Sequence, residues 1–195
     1  MKKPGKNIPE LKGRSLLLHV CCGPCAAGCV ERLLAHYDRV GLYYSNSNIC
    51  TADEFEKRLC YVRELADHFD LPLSVDSYDH ASWLSVTEEY REEPEGGLRC
   101  GRCFGYSLGR AAAAADRLGY ESFATSLTVS PRKSSDLVFA AGREYSGFTE
   151  WNFKKDSGYL RGLELAKGWN FYRQDFCGCE FSLRSREKSG ANGQR

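Results

Sequence analysis

Short apolar segments that alternate with amphipathic helical segments constrain this chain more than any other feature of its sequence. SLLLHV at 15–20 is a continuous apolar run typical of a buried strand, and apolar residues at helical spacing follow over 24–37. This alternation predicts an α/β sandwich with a mostly parallel sheet. The predicted strands are 15–20, 39–46, 71–78, 121–127 and 149–153, and the predicted helices are 24–37, 52–69, 81–91, a long one after the loop 92–103 that ends near Gly119, one after Ser130, and 158–167.

The length and composition indicate one folded domain. The chain has 195 residues, the size of a single domain, and its aromatic content of 12% excludes a disordered chain. It has neither an apolar run of ~18 residues nor the apolar core of a signal peptide, so we expect a cytoplasmic protein with no membrane partner. We predict a flexible segment at 1–13, the folded domain at 14–183 and a basic tail at 184–195.

Ten cysteines are an unusual number for such a chain. A reducing cytosol does not keep so many cysteines as structural disulfides, so the count indicates metal, iron–sulfur or thiol redox chemistry. Three scattered cysteines are expected to be small core residues. The scattered ones are Cys29, Cys50 and Cys60, and the grouped ones are Cys21, Cys22 and Cys25, then Cys100 and Cys103, then Cys177 and Cys179.

Two of these groups have the properties of metal ligands. In a parallel sheet the chemistry gathers beyond the carboxyl ends of the strands, where Cys21 and Cys22 are expected at the start of a helix. A helix N-terminus stabilises thiolates, the form that binds metal. Cys100 and Cys103 are three residues apart, so both sulfurs lie on one side of a helical turn or tight loop. Four thiolates suit a [4Fe–4S] cluster or a structural zinc, and the spacing leaves the metal open.

The third group, Cys177-Gly178-Cys179, allows two interpretations. A disulfide across one residue is tight and strained, so it is a good oxidant that is easily reduced again. Such a pair delivers electrons and is then reset. The competing interpretation is that the two cysteines are further metal ligands.

The charge is nearly balanced, with 27 basic and 26 acidic residues and a net charge of +1. Bulk electrostatics alone therefore does not drive binding to a nucleic acid. Basic residues do concentrate in the first fourteen residues and in the tail, where they either hold a polyanion or are ordinary solvated ends.

Five motifs occur in an order that resembles a known family. They are HVCCGPC at 19–25, YSNSNI at 44–49, RCGRCF at 99–104, TSL at 125–127 with the following Ser130-Pro131, and YRQDFCGC at 172–179. Together they span about residues 14–183 and resemble the QueH family of epoxyqueuosine reductases. The family often has Asn-Pro-Asn where this chain has Asn46-Ser47-Asn48, a turn that lacks the rigidity of proline.

The resemblance implies a Rossmann-like α/β fold and a reaction on tRNA. In that reaction the epoxide oxygen of epoxyqueuosine, at the wobble position of the anticodon, is removed without cobalamin to give queuosine. The implied partners are tRNA that carries epoxyqueuosine and an electron donor that the sequence does not identify.

The resemblance also implies roles for individual residues. A [4Fe–4S] cluster would be held by Cys21, Cys22, Cys100 and Cys103. Cys177 and Cys179 would be a redox-active disulfide pair. A second metal ion, iron or zinc, would be bound by Cys25 and Asp79. RNA-binding proteins read splayed-out bases by stacking and by hydrogen bonds to base edges, which predicts four substrate-binding residues. These are Asn46, Asn48, Tyr44 and Arg173.

A zinc-stabilised RNA-binding module without catalysis is the main alternative, because it shares the four thiolates and the basic ends. An iron–sulfur protein is brown and absorbs near ~400 nm, whereas a zinc protein is colourless. A general thiol oxidoreductase is disfavoured, since the chain has no C-x-x-C in a thioredoxin-like position.

Overall fold

Four parallel strands form one sheet in the order β3–β2–β1–β4 in the computed structural model, which describes residues 14–183. The strands are β1 (Ser15–Val20), β2 (Arg39–Tyr44), β3 (Leu73–Val75) and β4 (Ser122–Thr125). All three pairings are parallel, with Leu18 opposite Leu42 on one side and Ala124 on the other. The predicted segments 1–13 and 184–195 lie outside the described residues.

Six helices connect and cover the strands within residues 14–183. α2 begins after Thr51, whose side chain accepts a hydrogen bond from the backbone N–H of Glu54, and ends at Asp70 in the left-handed conformation. α4 ends in the same way at Gly119. The helices are α1 (Gly23–Leu34), α2 (Ala52–Phe69), α3 (His80–Thr87), α4 (Leu98–Leu118), α5 (Ser135–Gly142) and α6 (Gly158–Gly168), with short 3₁₀ turns at Glu88–Tyr90 and Ser126–Val129.

The sheet separates two hydrophobic cores. Leu16, Leu18 and Val20 point to the core that contains apolar residues of α1, α2 and α6, whereas Leu17 points to the core of α4 and α5. Successive side chains of a strand point to opposite faces, so a sheet with helices on both faces needs an apolar run without polar interruption. The prediction of a single-domain α/β sandwich with a parallel sheet is confirmed.

The prediction of a fifth strand at 149–153 is wrong. Phe148, just before this segment, makes one isolated bridge to Phe123 of β4, and the N–H of Thr149 donates to the carbonyl of Phe123 at 2.8 Å. The chain then leaves the sheet, and the stacked rings of Trp151 and Phe153 pack into the core beside α1. The aromatic residues that suggested a strand therefore fill the interior.

The predicted loop 92–103 ends earlier than expected, because α4 begins at Leu98. Gly97 caps this helix, and its carbonyl accepts from the N–H of Cys100 at 3.0 Å. Cys100 and Cys103 consequently lie one turn apart in the first two turns of α4.

None of the helices in the described part of the chain is both long enough and apolar enough to cross a membrane.

Candidate metal centre and active site

Three cysteine sulfurs come together where β1 passes into α1. Cys22 occupies the N-cap position of the helix, with Pro24 in its first turn. The sulfurs of Cys21, Cys22 and Cys25 all lie within 4.8 Å of one another, and we call these three residues the thiol trio. At Gly23, an added Cβ would lie 2.6 Å from the backbone oxygen of Tyr61, so only glycine allows this junction to approach α2 so closely.

Hydrogen bonding within the thiol trio favours one thiolate. Hydrogen bonds from Cys22 and Cys25 hold the pKa of the Cys21 thiol well below its usual range, even though burial opposes this shift. The same interaction with Cys21 raises the pKa of Cys22 to about 12 and that of Cys25 well above its ordinary value. The hydroxyl of Ser126 also donates to the Cys21 sulfur, at 3.4 Å. Cys21 is thus the most acidic thiol of the trio, and the three sulfurs form a soft donor set that fits a thiophilic metal or an iron–sulfur cluster.

Two adjoining cavities join the thiol trio to the other cysteines. The larger has a volume of about 410 Å³ and is lined by Cys21, Cys22 and Cys25. Cys103 and Cys177 line both cavities. The smaller cavity is also lined by Cys100 and Cys179. All seven grouped cysteines therefore surround one connected space.

The two α4 cysteines, like Cys22 and Cys25, have raised thiol pKa values. Burial raises the pKa of Cys103, and the nearby Cys177 adds to the shift. Burial also raises the pKa of Cys100, whose sulfur accepts from the N–H of Gly96 at 3.2 Å. Both positions supply sulfur at the cavity, and a bound metal would be needed to keep them deprotonated.

The C-terminal segment carries Cys177 and Cys179 to this space as an irregular loop. Residues 171–179 form neither helix nor strand, and Gly178 has a φ of +124°, which favours glycine. Gln174 donates from Nε2 to the sulfur of Cys22 at 3.0 Å. All ten cysteines of the chain carry free thiols, and burial raises the pKa of Cys179 to about 12.

The predicted substrate residues fall into two groups. Asn48 and Arg173 line the larger cavity, and Arg173 also donates to the hydroxyl of Tyr159 at 3.4 Å. The amide of Asn46 reaches the cavity, but its Nδ2 is already bound to the carbonyl of Val20 at 2.8 Å. Tyr44 differs from the expectation: it is fully buried in the core, outside the lining of both cavities, and its hydroxyl donates to the carbonyl of Phe55. Its ring therefore packs in the interior and has no free face for a base.

Asp79 also differs from the expectation. Its carboxylate accepts from the N–H of Ser82 at 3.0 Å and caps α3, and it lies outside the lining of both cavities. The structure brings Cys25 into the thiol trio and gives Asp79 a capping role. A shared metal site of Cys25 and Asp79 stays a prediction from the family resemblance.

Two cationic side chains line the larger cavity, and the sequence did not predict a role for either of them at the metal centre. Lys133 lines both cavities. Burial alone would lower the pKa of Lys133, but the electrostatic effect of the neighbouring cysteine sulfurs outweighs burial and raises it. Arg58 on α2 is buried and donates to the carbonyl of Cys177 at 3.1 Å. A signal for Arg58 exists in the sequence: it lies three residues after Phe55 and four before Val62, on the apolar face of α2.

The strand ends beneath the cavity are joined by buried polar contacts. His19, at the end of β1, contacts the hydroxyl of Thr125 at 2.9 Å and the carbonyl of Ser45 at 3.0 Å. Burial lowers the pKa of this histidine. Asp76 forms a two-point ion pair with Arg110, so its carboxylate braces β3 against α4.

Comparison with known proteins identifies the family. A family profile described as "Epoxyqueuosine reductase QueH" matches residues 16–185. The chain is 34% identical over 189 residues to the epoxyqueuosine reductase QueH of Thermotoga maritima, with coverage of 93% of this chain and 96% of that protein. It is 34% identical over 182 residues to epoxyqueuosine reductase QueH of Streptococcus pyogenes serotype M1, with coverage of 87% and 71%.

Among solved structures, the chain is similar to U34-tRNA thiolase NcsA from Methanococcus maripaludis with its [4Fe-4S] cluster, at 8% identity and a TM-score of 0.42, over 93% of this chain and 83% of the other. At this sequence identity and TM-score, the similarity says nothing about the chemistry of this chain. The family profile and the curated relatives agree with each other over most of the chain. On that basis, this chain belongs to the QueH family of epoxyqueuosine reductases.

Proposed function

We propose that this chain removes the epoxide oxygen of epoxyqueuosine at the wobble position of tRNA and so forms queuosine, without cobalamin. Its membership of the QueH family supports this reaction. The observation that carries the proposal is the convergence of cysteines from three distant parts of the chain on one connected space. Such a convergence is what a reduction that depends on metal and thiols requires.

Four cysteines are assigned to a [4Fe–4S] cluster: Cys21, Cys22, Cys100 and Cys103. The donor chemistry fits, because the sulfur of Cys21, whose thiol pKa is lowered, lies within 4.8 Å of two further sulfurs, and Cys100 and Cys103 line the adjoining cavity. When bound, such a cluster supplies electrons one at a time. Cys25 is the remaining sulfur of the trio, and with Asp79 it is the predicted site of a second metal, iron or zinc.

The Cys177 and Cys179 thiols are assigned as the direct reductant. In the overall reaction both C–O bonds of the epoxide break, a C=C bond forms and the oxygen leaves as water. Two thiols that are oxidised to one disulfide supply the two electrons and two protons that this change requires. An external electron donor then reduces the disulfide again.

The remaining cavity residues are assigned to substrate binding. Proteins recognise single-stranded RNA by splaying out its bases and by contacting its phosphates. Asn48 has its amide at the cavity and is suited to a base edge, while Arg173 and Lys133 supply positive charge beside it. Because Asn46 already holds the carbonyl of Val20, its contribution is to keep the strand ends in place.

Anaerobic conversion of tRNA that carries epoxyqueuosine tests the proposal. We expect brown protein that contains iron and absorbs near ~400 nm, and queuosine among the nucleosides released from the treated tRNA. A chemical reductant replaces the electron donor in this assay. Iron-loaded protein that gives no queuosine would overturn the proposed reaction, and colourless protein with bound zinc would favour the RNA-binding module.

A further inference from the structure

Arg58 is a buried charge that the chemistry described above does not use. The residue is 3% exposed, and its Nε lies 2.7 Å from Oε1 of Glu54, one turn earlier on α2. Its Nη2 has no hydrogen-bond partner in the part of the chain that the structure describes. A buried guanidinium costs free energy that an apolar side chain would avoid, so folding stability does not by itself account for an arginine here.

The contacts of Arg58 point instead to the loop that carries the cysteine pair. Its Nη1 donates to the carbonyl of Cys177 at 3.1 Å, and its guanidinium lies 5.0 Å from the ring centroid of Phe176. At Gly178, an added Cβ would lie 3.3 Å from the same Nη1. The guanidinium therefore contacts Phe176 and Cys177 and lies beside Gly178.

Glu54 reaches the same loop one turn away. The hydroxyl of Tyr172 lies 3.4 Å from both carboxylate oxygens of Glu54, and the ammonium of Lys57 lies 3.6 Å from the centroid of the Tyr172 ring. Glu54 thus fixes the direction of the Arg58 side chain and also holds the start of the loop. We call Glu54 and Arg58 together the α2 brace.

The loop has few means of its own to stay in place. Residues 171–179 form neither helix nor strand, so the ladder that fixes a strand or the i to i−4 bonds that fix a helix are absent there. Beside the pair, the N–H of Cys50 donates to the carbonyl of Gly178 at 3.0 Å. Ser182 contacts both cysteines, since its hydroxyl accepts from the N–H of Cys177 at 3.5 Å and its N–H donates to the carbonyl of Cys179 at 3.1 Å. The position of Cys177 at the cavity therefore depends on a small set of contacts, and among them the bond from Arg58 is made by a buried, charged side chain.

We propose that Arg58, oriented by Glu54, is a positioning residue that holds the Cys177-Gly178-Cys179 turn against the cavity. It acts on the reaction through the turn and does not itself touch the reacting atoms. Its effect on turnover rests on the proposed function, whereas its effect on the turn does not.

The first test measures the turn without any assay of activity. Anaerobically purified protein is treated with a limiting thiol-alkylating reagent, and the labelling rate of Cys177 is followed by peptide mass spectrometry. Cys60 lies on the same helix and is exposed, contrary to the expectation of a core residue, so it serves as the internal reference. In Arg58→Met we expect Cys177 to be labelled about tenfold faster relative to Cys60, because a charge-assisted hydrogen bond contributes on that order to holding a segment closed.

Arg63→Met is the matched control. Arg63 is on α2 as well, but its side chain is 56% exposed and its ion pair with Glu56 is long, at 3.8 Å. The same chemical change there should leave the labelling of Cys177 unaltered. Arg58→Lys keeps the positive charge but lacks the planar guanidinium group, so it should give an intermediate labelling rate.

The second test separates binding from turnover. We expect Arg58→Met to lower kcat about tenfold and to leave KM for the tRNA within about twofold, because the brace aligns the reductant and does not bind the substrate. If Arg58→Met does not fold, Glu54→Gln provides the same tests while it keeps the guanidinium.

The outcomes distinguish this proposal from the proposed function. Unchanged labelling of Cys177 in folded Arg58→Met or Glu54→Gln would overturn the positioning role, whatever the activity. Faster labelling with unchanged kcat would show that the reaction does not depend on the turn. A wild-type protein that forms no queuosine would overturn the proposed function and leave the labelling result standing.

Discussion

Two of the three cysteine groups at the cavities, the thiol trio and the Cys177–Cys179 turn, are held in place by different means. The thiol trio lies where a central strand becomes a helix, and the carbonyl of Cys22 accepts the N–H of Ala26 at the start of α1. The Cys177–Cys179 turn lies in an irregular segment and is held by Arg58 of α2, by a backbone bond from Cys50 and by hydrogen bonds from the residues that follow it. A strand-to-helix junction is rigid and suits a permanent ligand site. A loop held by a few contacts suits thiols that must change their redox state.

Loss of a trio sulfur should have the largest effect. In Cys21→Ser the hydroxyl cannot replace the thiolate that the neighbouring thiols stabilise, so we expect iron to be lost and queuosine formation to be abolished. Metal analysis and absorbance near ~400 nm measure this. Cys60→Ser, at an exposed position on α2, should keep both its iron and its activity. Full iron content in Cys21→Ser would remove Cys21 from the ligand set.

Loss of a sulfur from the turn should distinguish the role of the turn from the role of the thiol trio. In Cys177→Ser we expect the iron content to stay at the wild-type level while kcat falls on the order of 10³-fold, the scale of losing an essential member of a catalytic set. Metal analysis and single-turnover formation of queuosine check the two parts of this prediction. If the variant loses its iron, the division between a ligand site and a redox pair is wrong.

Disturbing the backbone of the junction should test its rigidity. Gly23→Ala places a Cβ 2.6 Å from the backbone oxygen of Tyr61, so α1 and α2 must move apart. We expect the free energy of unfolding to fall by about 1–3 kcal/mol, as measured by denaturant unfolding. Gly105→Ala is the control, since a Cβ there meets no heavy atom within 4 Å, and it should be neutral or slightly stabilising. Equal stability of the two variants would contradict a tightly packed junction.

A smaller effect is expected at the strand end below the cavity. Burial opposes the ionisation of Asp76, but hydrogen bonds from Arg110 and Ser45 outweigh it and lower the pKa of the carboxyl group. A lowered pKa in the folded state stabilises the protein above the unfolded value of about 3.9, and this contribution is lost as the pH falls through the folded value. Asp76→Asn should therefore lower the free energy of unfolding by about 1 kcal/mol at pH 7.

The difference between Asp76→Asn and wild type should shrink as unfolding is measured at increasingly acidic pH. Glu88→Gln, in an exposed ion pair with Arg91 at 3.8 Å, is the control and should have little effect at any pH. A difference that stays constant down to acidic pH would show that the carboxylate charge of Asp76 is not what stabilises this edge.

Local sequence signals predicted those helices whose capping residues and apolar stripes are visible in the sequence of the helix itself. The helix predicted at 52–69 is observed as Ala52–Phe69, because Thr51 caps its start and an apolar stripe fixes its face. The helix predicted at 158–167 is observed as Gly158–Gly168. The aromatic segment 149–153 was misassigned because aromatic residues fill a core as well as they fill a strand, and periodicity alone does not separate the two.

The candidate site was predictable in its residue types and less so in its contacts. The three cysteine groups stand out in the sequence, and they do line one connected space. Tyr44 and Asp79 are used in packing and helix capping, since a motif does not reveal what already occupies a side chain. Arg58 was missed because its partner at Cys177 lies 119 residues further along the chain.

The sequence by itself determined the order of strands and helices, the face of each helix that is buried and the presence of sulfur chemistry, because each of these depends on residues that are near one another in the chain. Only the tertiary structure decided that Tyr44 is buried, that Asp79 caps a helix and that Arg58 contacts the distant cysteine turn. The physical reason is that such contacts form when the parallel strands bring their carboxyl ends to one edge of the sheet, and no local pattern encodes which side chains then meet there.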